Sequence, residues 1–211
     1  MDTMRTRSKD LLPSVLLTLL SIIQALALEM LWASLDESPY LWAGGWESIL
    51  GWLQVGVMLL GILQIWLFYT NLVMRFRWVP STRDSILPFV IGILEFTLID
   101  LLGPATLAPW FCILALVFAV STWESHKMFT RARQDPENRE FFENVERAKL
   151  SDFAAPIASV SGLVLFGVVL HVSGSPTWLA LAGLVAAVAM LAYQIALMRH
   201  YWDLAMVARQ G

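Results

Sequence analysis

Apolar residues gather into six long runs along the chain, at about 11–34, 47–74, 84–102, 105–126, 152–172 and 176–201. Each run is close to the roughly 20 residues with which an α-helix crosses a hydrocarbon core. No run shows the strict alternation of a barrel strand, and a helix satisfies its own backbone polar groups in lipid. Breakers stand between the runs: Gly44-Gly45, Pro80, Gly103-Pro104, Pro136 and Gly174-Ser175-Pro176. The pattern predicts an all-α polytopic membrane protein, with six transmembrane helices forming one domain over residues 1–211. The first run contains Ala25-Leu26-Ala27, a small-residue pattern like a signal-peptide cleavage site. Because the apolar stretch continues past it, the run is read as a retained span.

Charge then orients the helices. Of the 14 Lys and Arg residues, Arg5, Arg7 and Lys9 precede the first run, and Arg75, Arg77 and Arg83 lie between the second and third. Lys127, Arg131, Arg133, Arg139, Arg147 and Lys149 lie between the fourth and fifth, and Arg199 and Arg209 follow or close the sixth. The other three connections hold none. The positive-inside bias produces this distribution and puts both termini in the cytoplasm. Trp32, Trp42, Trp46, Trp52, Trp110 and Trp178 then mark the outer boundary, and Trp78, Trp123 and Trp202 the inner one. A content of 58% hydrophobic and 15% charged residues excludes a soluble domain, as does a mean hydropathy of +0.65. Topology accounts for the basic residues, so nucleic-acid binding has no separate support. Three spans in each half would give the halves opposite orientations, as in inverted-repeat transporters, although the halves share no residue-level similarity.

The largest polar connection runs from about 124 to 152. Asp135 before Pro136, with Glu137 next, is a helix start signal. Phe141, Phe142, Val145 and Ala148 make an apolar stripe, and Arg139–Glu143 and Glu143–Arg147 are i, i+4 pairs. The spacing predicts a cytoplasmic amphipathic helix over about 136–150, either a connector packed on the helix ends or a docking element.

Candidate chemistry is sparse. Glu29, Asp36, Glu37, Glu47 and Asp100 stand near the outer boundary without basic neighbours. They form an acidic vestibule that concentrates cations, or simply what remains where Lys and Arg are excluded. Glu95 falls roughly 16 Å along the third helix from Asp84, near the bilayer centre. A carboxylate there needs a partner, such as Gln24, Gln64 or Gln194, or else an ion path. On the first helix Ser14, Thr18 and Ser21 share a face with Ala25 and Leu28, suited to close packing or to lining a narrow path. Ala155, Ser159 and Gly162, with Ala182, Ala186, Ala189 and Ala196, are read as packing surfaces, and the single cysteine, Cys112, as a small buried apolar residue. His126, His171 and His200 sit at helix ends, where haem ligation finds no pair. No nucleophile with a base, metal cluster or phosphate loop emerges. The reading is therefore not an enzyme, with no catalytic residue, metal or cofactor.

The stretch Trp66-Leu67-Phe68-Tyr69-Thr70-Asn71-Leu72-Val73-Met74-Arg75, and Asp84 opening the third helix before Leu87-Pro88-Phe89, resemble the transmembrane protein 175 family of potassium channels. Asp135-Pro136 and Ala154-Ala155-Pro156 fit the same layout. The resemblance implies a tetramer whose first helices line a central pore, with Thr18 and Ser21 near the path and Leu17 or Leu20 as apolar constrictions. The family's Phe-Ser-Asp signature is absent between Met4 and Ser14, and its paired histidines are absent at Phe68 to Asn71. The expected function is cation conduction or ion-coupled transport by a homo-oligomer in the cell membrane, with a monovalent cation and the lipid bilayer as partners. The alternative is a non-transporting module that binds a protein or lipid partner.

Overall fold

The computed structural model describes residues 2–143, 149–174 and 176–207. Among them are seven α-helices and no strand: α1 (Asp2–Asp36), α2 (Trp46–Arg75), α3 (Thr82–Asp100), α4 (Leu107–Gln134), α5 (Arg139–Glu143), α6 (Ala154–Ser173) and α7 (Thr177–Val207). All but α5 correspond to the six apolar runs. Five of them, α1, α2, α4, α6 and α7, are long and apolar enough to cross a membrane. The sixth, α3, has 19 residues, and every 18-residue stretch of it contains Arg83, Asp84 and Glu95. Composition therefore sets it apart from the others.

The breaks have local causes. Gly45 (φ 87°) precedes α2, Gly103 (φ 136°) separates α3 from α4, and Gly174 (φ 71°) caps α6 in the left-handed region. These are backbone conformations that favour glycine. The Gly103 N–H donates to Oε1 of the fully buried Gln54 on α2 at 3.0 Å, which ties the α3–α4 turn to the bundle. Ser81 and Asp84 close a capping box at the start of α3.

Three helices run further than the hydropathy pattern marks, among them α7, which continues to Val207. α1 begins at Asp2 because Lys9 pairs with the buried Asp135, and α4 continues to Gln134 because Met128 and Ala132 pack into the core. Of the helix expected over 136–150, residues 136–143 and 149–150 are described, and its expected end is corrected: Lys149 is not helical and Leu150 opens a 3-10 turn, Leu150–Phe153. A single 3-10 turn, Pro136–Asn138, leads into α5, where Arg139 and Glu143 form an exposed 3.5 Å pair. Val145, Arg147 and Ala148 lie outside the described residues.

Six helices close into a ring through their main contacts, in the order α1, α3, α4, α6, α7, α2 and back to α1. The tightest seams are α4 on α6, α2 on α7 and α1 on α3. α1 packs strongly on α3, whereas α4 and α7, which would correspond in an inverted second half, make little contact. The packing therefore does not repeat between halves. Two apolar clusters fill the ring. One contains Leu31, Leu98, Trp110 and Phe111, and the other Leu16, Leu20, Tyr69, Trp78 and Ile91.

Two packing expectations are corrected. Ala155, Ala182, Ala186, Ala189 and Ala196 are exposed, and Ser159 and Gly162 are only half-buried. The seams instead use Gly167, where an added Cβ would lie 2.7 Å from Cys112 Sγ, and Gly183, where it would lie 2.8 Å from Phe111. In stretches this rich in small residues, several helix faces satisfy the same spacing, and only the neighbour selects one. Cys112 is exposed rather than buried: it sits at the rim of the α4–α6 seam beside Gly167.

Candidate functional site

A cavity of about 400 Å³ opens between α2, α3, α4, α6 and α7. Its wall is mostly carbon, from residues such as Val57, Met58, Leu98, Leu114 and Leu191, with Phe68, Tyr69, Trp78 and Phe118 as aromatic surface. Asp84, Glu95 and Glu124 are the charged side chains on it. Asp84 is satisfied: Oδ2 accepts from Trp78 Nε1 at 2.9 Å and Ser81 N at 3.0 Å, and Oδ1 pairs with Arg131. Tyr69 stacks on Trp78 with ring centroids 6.4 Å apart, which fixes this end of the wall.

Glu95 lies where the two apolar clusters meet, between Ile91 of one and Leu98 of the other. It is 2% exposed. Gln24 on α1 donates to Glu95 Oε2 at 2.9 Å, while Glu95 Oε1 is buried without a partner. Of the three glutamines expected as partners, Gln24 is the one used. Gln64 and Gln194 bond to each other across the α2–α7 seam, leaving Gln64 Oε1 free on the cavity wall. Ser121 Oγ, also on the wall, is a further buried atom without a partner. Glu95, Gln64 and Ser121 thus each hold a buried, unpartnered polar atom within the wall of a largely apolar cavity, a combination found at small-molecule and ion sites.

The first-helix candidates lie elsewhere. Ser14, Thr18 and Ser21 are exposed, and their hydroxyls donate to carbonyls of their own helix at 2.8, 2.9 and 2.8 Å. Leu20 is fully buried in one apolar cluster and Leu17 packs against it, so within one chain both are core residues. α1 contributes no residue to the cavity. Glu29, Asp36, Glu37, Glu47 and Asp100 are all exposed and do not line the cavity, and among the described residues no three acidic, His or Cys side chains converge as a metal site. Sequence reasoning missed Tyr69, Trp78, Ser121 and Glu124 as wall residues. The only available signal was that Glu124 stands at the end of an apolar run, where the basic connection begins.

A second polar centre closes one end of the bundle. Asp135 accepts from Lys9 at 2.6 Å and Arg5 at 3.1 Å, and Glu137 pairs with Lys9 at 2.9 Å and Arg77 at 2.6 Å. Asn138 accepts from Arg77 N at 2.7 Å and donates to Arg77 O at 2.9 Å and Ala132 O at 3.0 Å. Burial pushes the Asp135 carboxyl up, but the hydrogen bonds from Lys9 and Glu137 N–H and the charges of Lys9 and Arg5 outweigh it and hold the group below the usual carboxylate range. With no buried side-chain polar atom of Lys9, Asp135 or Asn138 left without a partner, this centre reads as a fastening.

An all-α ring in which five helices are long and apolar enough to cross a membrane is compatible with an integral membrane protein. No family model, curated protein or solved structure matches the chain.

Proposed function

We propose that this is a six-span protein of the cell membrane, with both termini cytoplasmic, that moves a monovalent cation through its internal cavity by ion-coupled transport. The observation that carries the reading is Glu95, a buried carboxylate on the wall of the cavity with one oxygen unpartnered. A carboxylate at that depth is costly unless it serves a partner or a pathway. α3 is the sixth span, and its exposed face carries Ile86, Phe89, Val90 and Ile93, an apolar surface suited to lipid. The distribution of Lys and Arg supports the orientation.

A second reading draws on the exposed Ser14, Thr18 and Ser21 face. Were the chain to assemble around α1, as the resemblance to transmembrane protein 175 channels implies, that face would line a path between copies. A module that binds a partner without transport is the third.

Proteoliposomes separate these. With a panel of alkali and organic monovalent cations, cavity transport predicts cation flux coupled to opposite proton movement. That flux should fall by at least about tenfold, or ~1.4 kcal/mol of barrier, in Glu95→Gln and be unchanged in Thr18→Leu. Flux lost in Thr18→Leu but kept in Glu95→Gln moves the path to the α1 face. Absence of flux for every cation leaves the partner-binding module.

A further inference from the structure

Resting on that reading, we propose that the cavity selects an organic monovalent cation with an apolar, aromatic body, taken up at Glu95 in exchange for the proton of its carboxyl group. Three observations select this chemistry. The volume, about 400 Å³, far exceeds that of a bare alkali ion and falls in the size range of small-molecule pockets. The wall is largely carbon, whereas alkali ions are held by shells of oxygen ligands, as in carbonyl filters. All three charged wall residues are acids, which disfavours an anion. A neutral apolar occupant would leave Glu95 Oε1, Gln64 Oε1 and Ser121 Oγ unanswered. A cation with an apolar body answers the carboxylate with its charge and the wall with its surface. Phe68 and Phe118, both half-buried on the wall, add aromatic surface of the kind that attracts organic cations.

The exchange balances. The Glu95 O–H bond breaks, its proton leaves to water, the electron pair stays on the carboxylate, and the incoming cation supplies the positive charge. The groups facing this exchange are Tyr69 from α2, Asp84 from α3 with its Arg131 counter-ion on α4, Glu124 from α4 and Tyr193 from α7. α6 presents Ala155, Pro156 and Ser159, and α1 presents Gln24, none of which titrates. With Asp84 held by Arg131, Glu95 is the wall carboxyl group that keeps a buried oxygen without a partner.

The test is binding of tetraphenylphosphonium to the purified full-length chain in detergent, with proton release followed in weak buffer between about pH 5 and about pH 8. Expected are one proton released per cation bound at the acidic end, and affinity that strengthens as pH rises. Affinity should drop at least about tenfold in Glu95→Gln, with recovery in Glu95→Asp and no change in the surface variant Glu140→Gln. The neutral analogue triphenylphosphine oxide should bind weakly and release no proton. Equal binding by wild type and Glu95→Gln, or pH-independent binding without proton release, overturns the proposal. The second outcome is read on the wild type alone, so it decides even if Glu95→Gln fails to fold. Flux of Na+ or K+ that depends on Glu95, without tetraphenylphosphonium binding, overturns the organic-cation assignment and leaves cation transport standing. Absence of both removes both.

Discussion

Asp135 and Glu95 are 4% and 2% exposed, and their surroundings differ completely. Asp135 faces two cations and a backbone N–H, whereas Glu95 faces one neutral amide and a cavity. The Asp135 pKa is lower in the folded protein than its ordinary value of about 3.9. The folded state therefore binds fewer protons than the unfolded chain around that pH. The stabilisation is complete above the ordinary value and lost as pH falls through the folded one. Thermal melts in detergent should show wild type losing stability on acidification below about pH 4 more steeply than Asp135→Asn. Curves of equal slope would mean that the Lys9 and Arg5 contacts contribute nothing to acid sensitivity. Glu95 was legible in the sequence because a carboxylate in an apolar run is conspicuous whatever surrounds it. The exposure of Cys112 was not, since a small apolar side chain fits lipid and core equally well and only the rotation of α4 decides between them.

At the scale of elements, the seams depend on where a helix places its smallest residue. A Cβ at Gly167 would lie 2.7 Å from Cys112 Sγ and 2.9 Å from the Ala108 carbonyl oxygen, and backbone has little room to retreat. Gly167→Ala should push α6 off α4 and cost about 1–3 kcal/mol, read as a lowered midpoint of thermal unfolding in detergent. Gly162→Ala, five residues earlier on the same helix with nothing within 4 Å, is the control and should be neutral or slightly stabilising. Equal effects from both would mean that α4 and α6 are not held by this close approach. The helices themselves were readable from the runs and their breakers. The polar starts of α1 and ends of α4 were not, because hydropathy scores Lys9 and Arg131 as solvent-facing when in fact Asp135 and Asp84 receive them.

For the whole molecule, the ring order places α1 outside the cavity although it comes first in the chain. No periodicity encodes such an order, which depends on pairs such as Gln24 with Glu95 and Gln64 with Gln194 meeting across distant segments. Orientation is testable directly. In a Cys112→Ala background, a cysteine at Ser38 should react with an impermeant reagent outside intact cells, while one at Thr82 or Glu140 should not. Labelling at Thr82 or Glu140 from outside would reverse the topology. The fastening of Lys9 to Glu137 spans 128 residues, and that of Gln24 to Glu95 spans 71. At ribosomal speeds of ~5–20 residues per second, Lys9 waits on the order of 10 s for its acidic partners to be synthesised. During that interval the first helix must be sheltered by lipid headgroups or by the insertion machinery. Gln24 can meet Glu95 once α3 has been made, whereas Lys9 meets Asp135 and Glu137 only after α4 has, so the two ends of the first helix are fastened at different stages of synthesis.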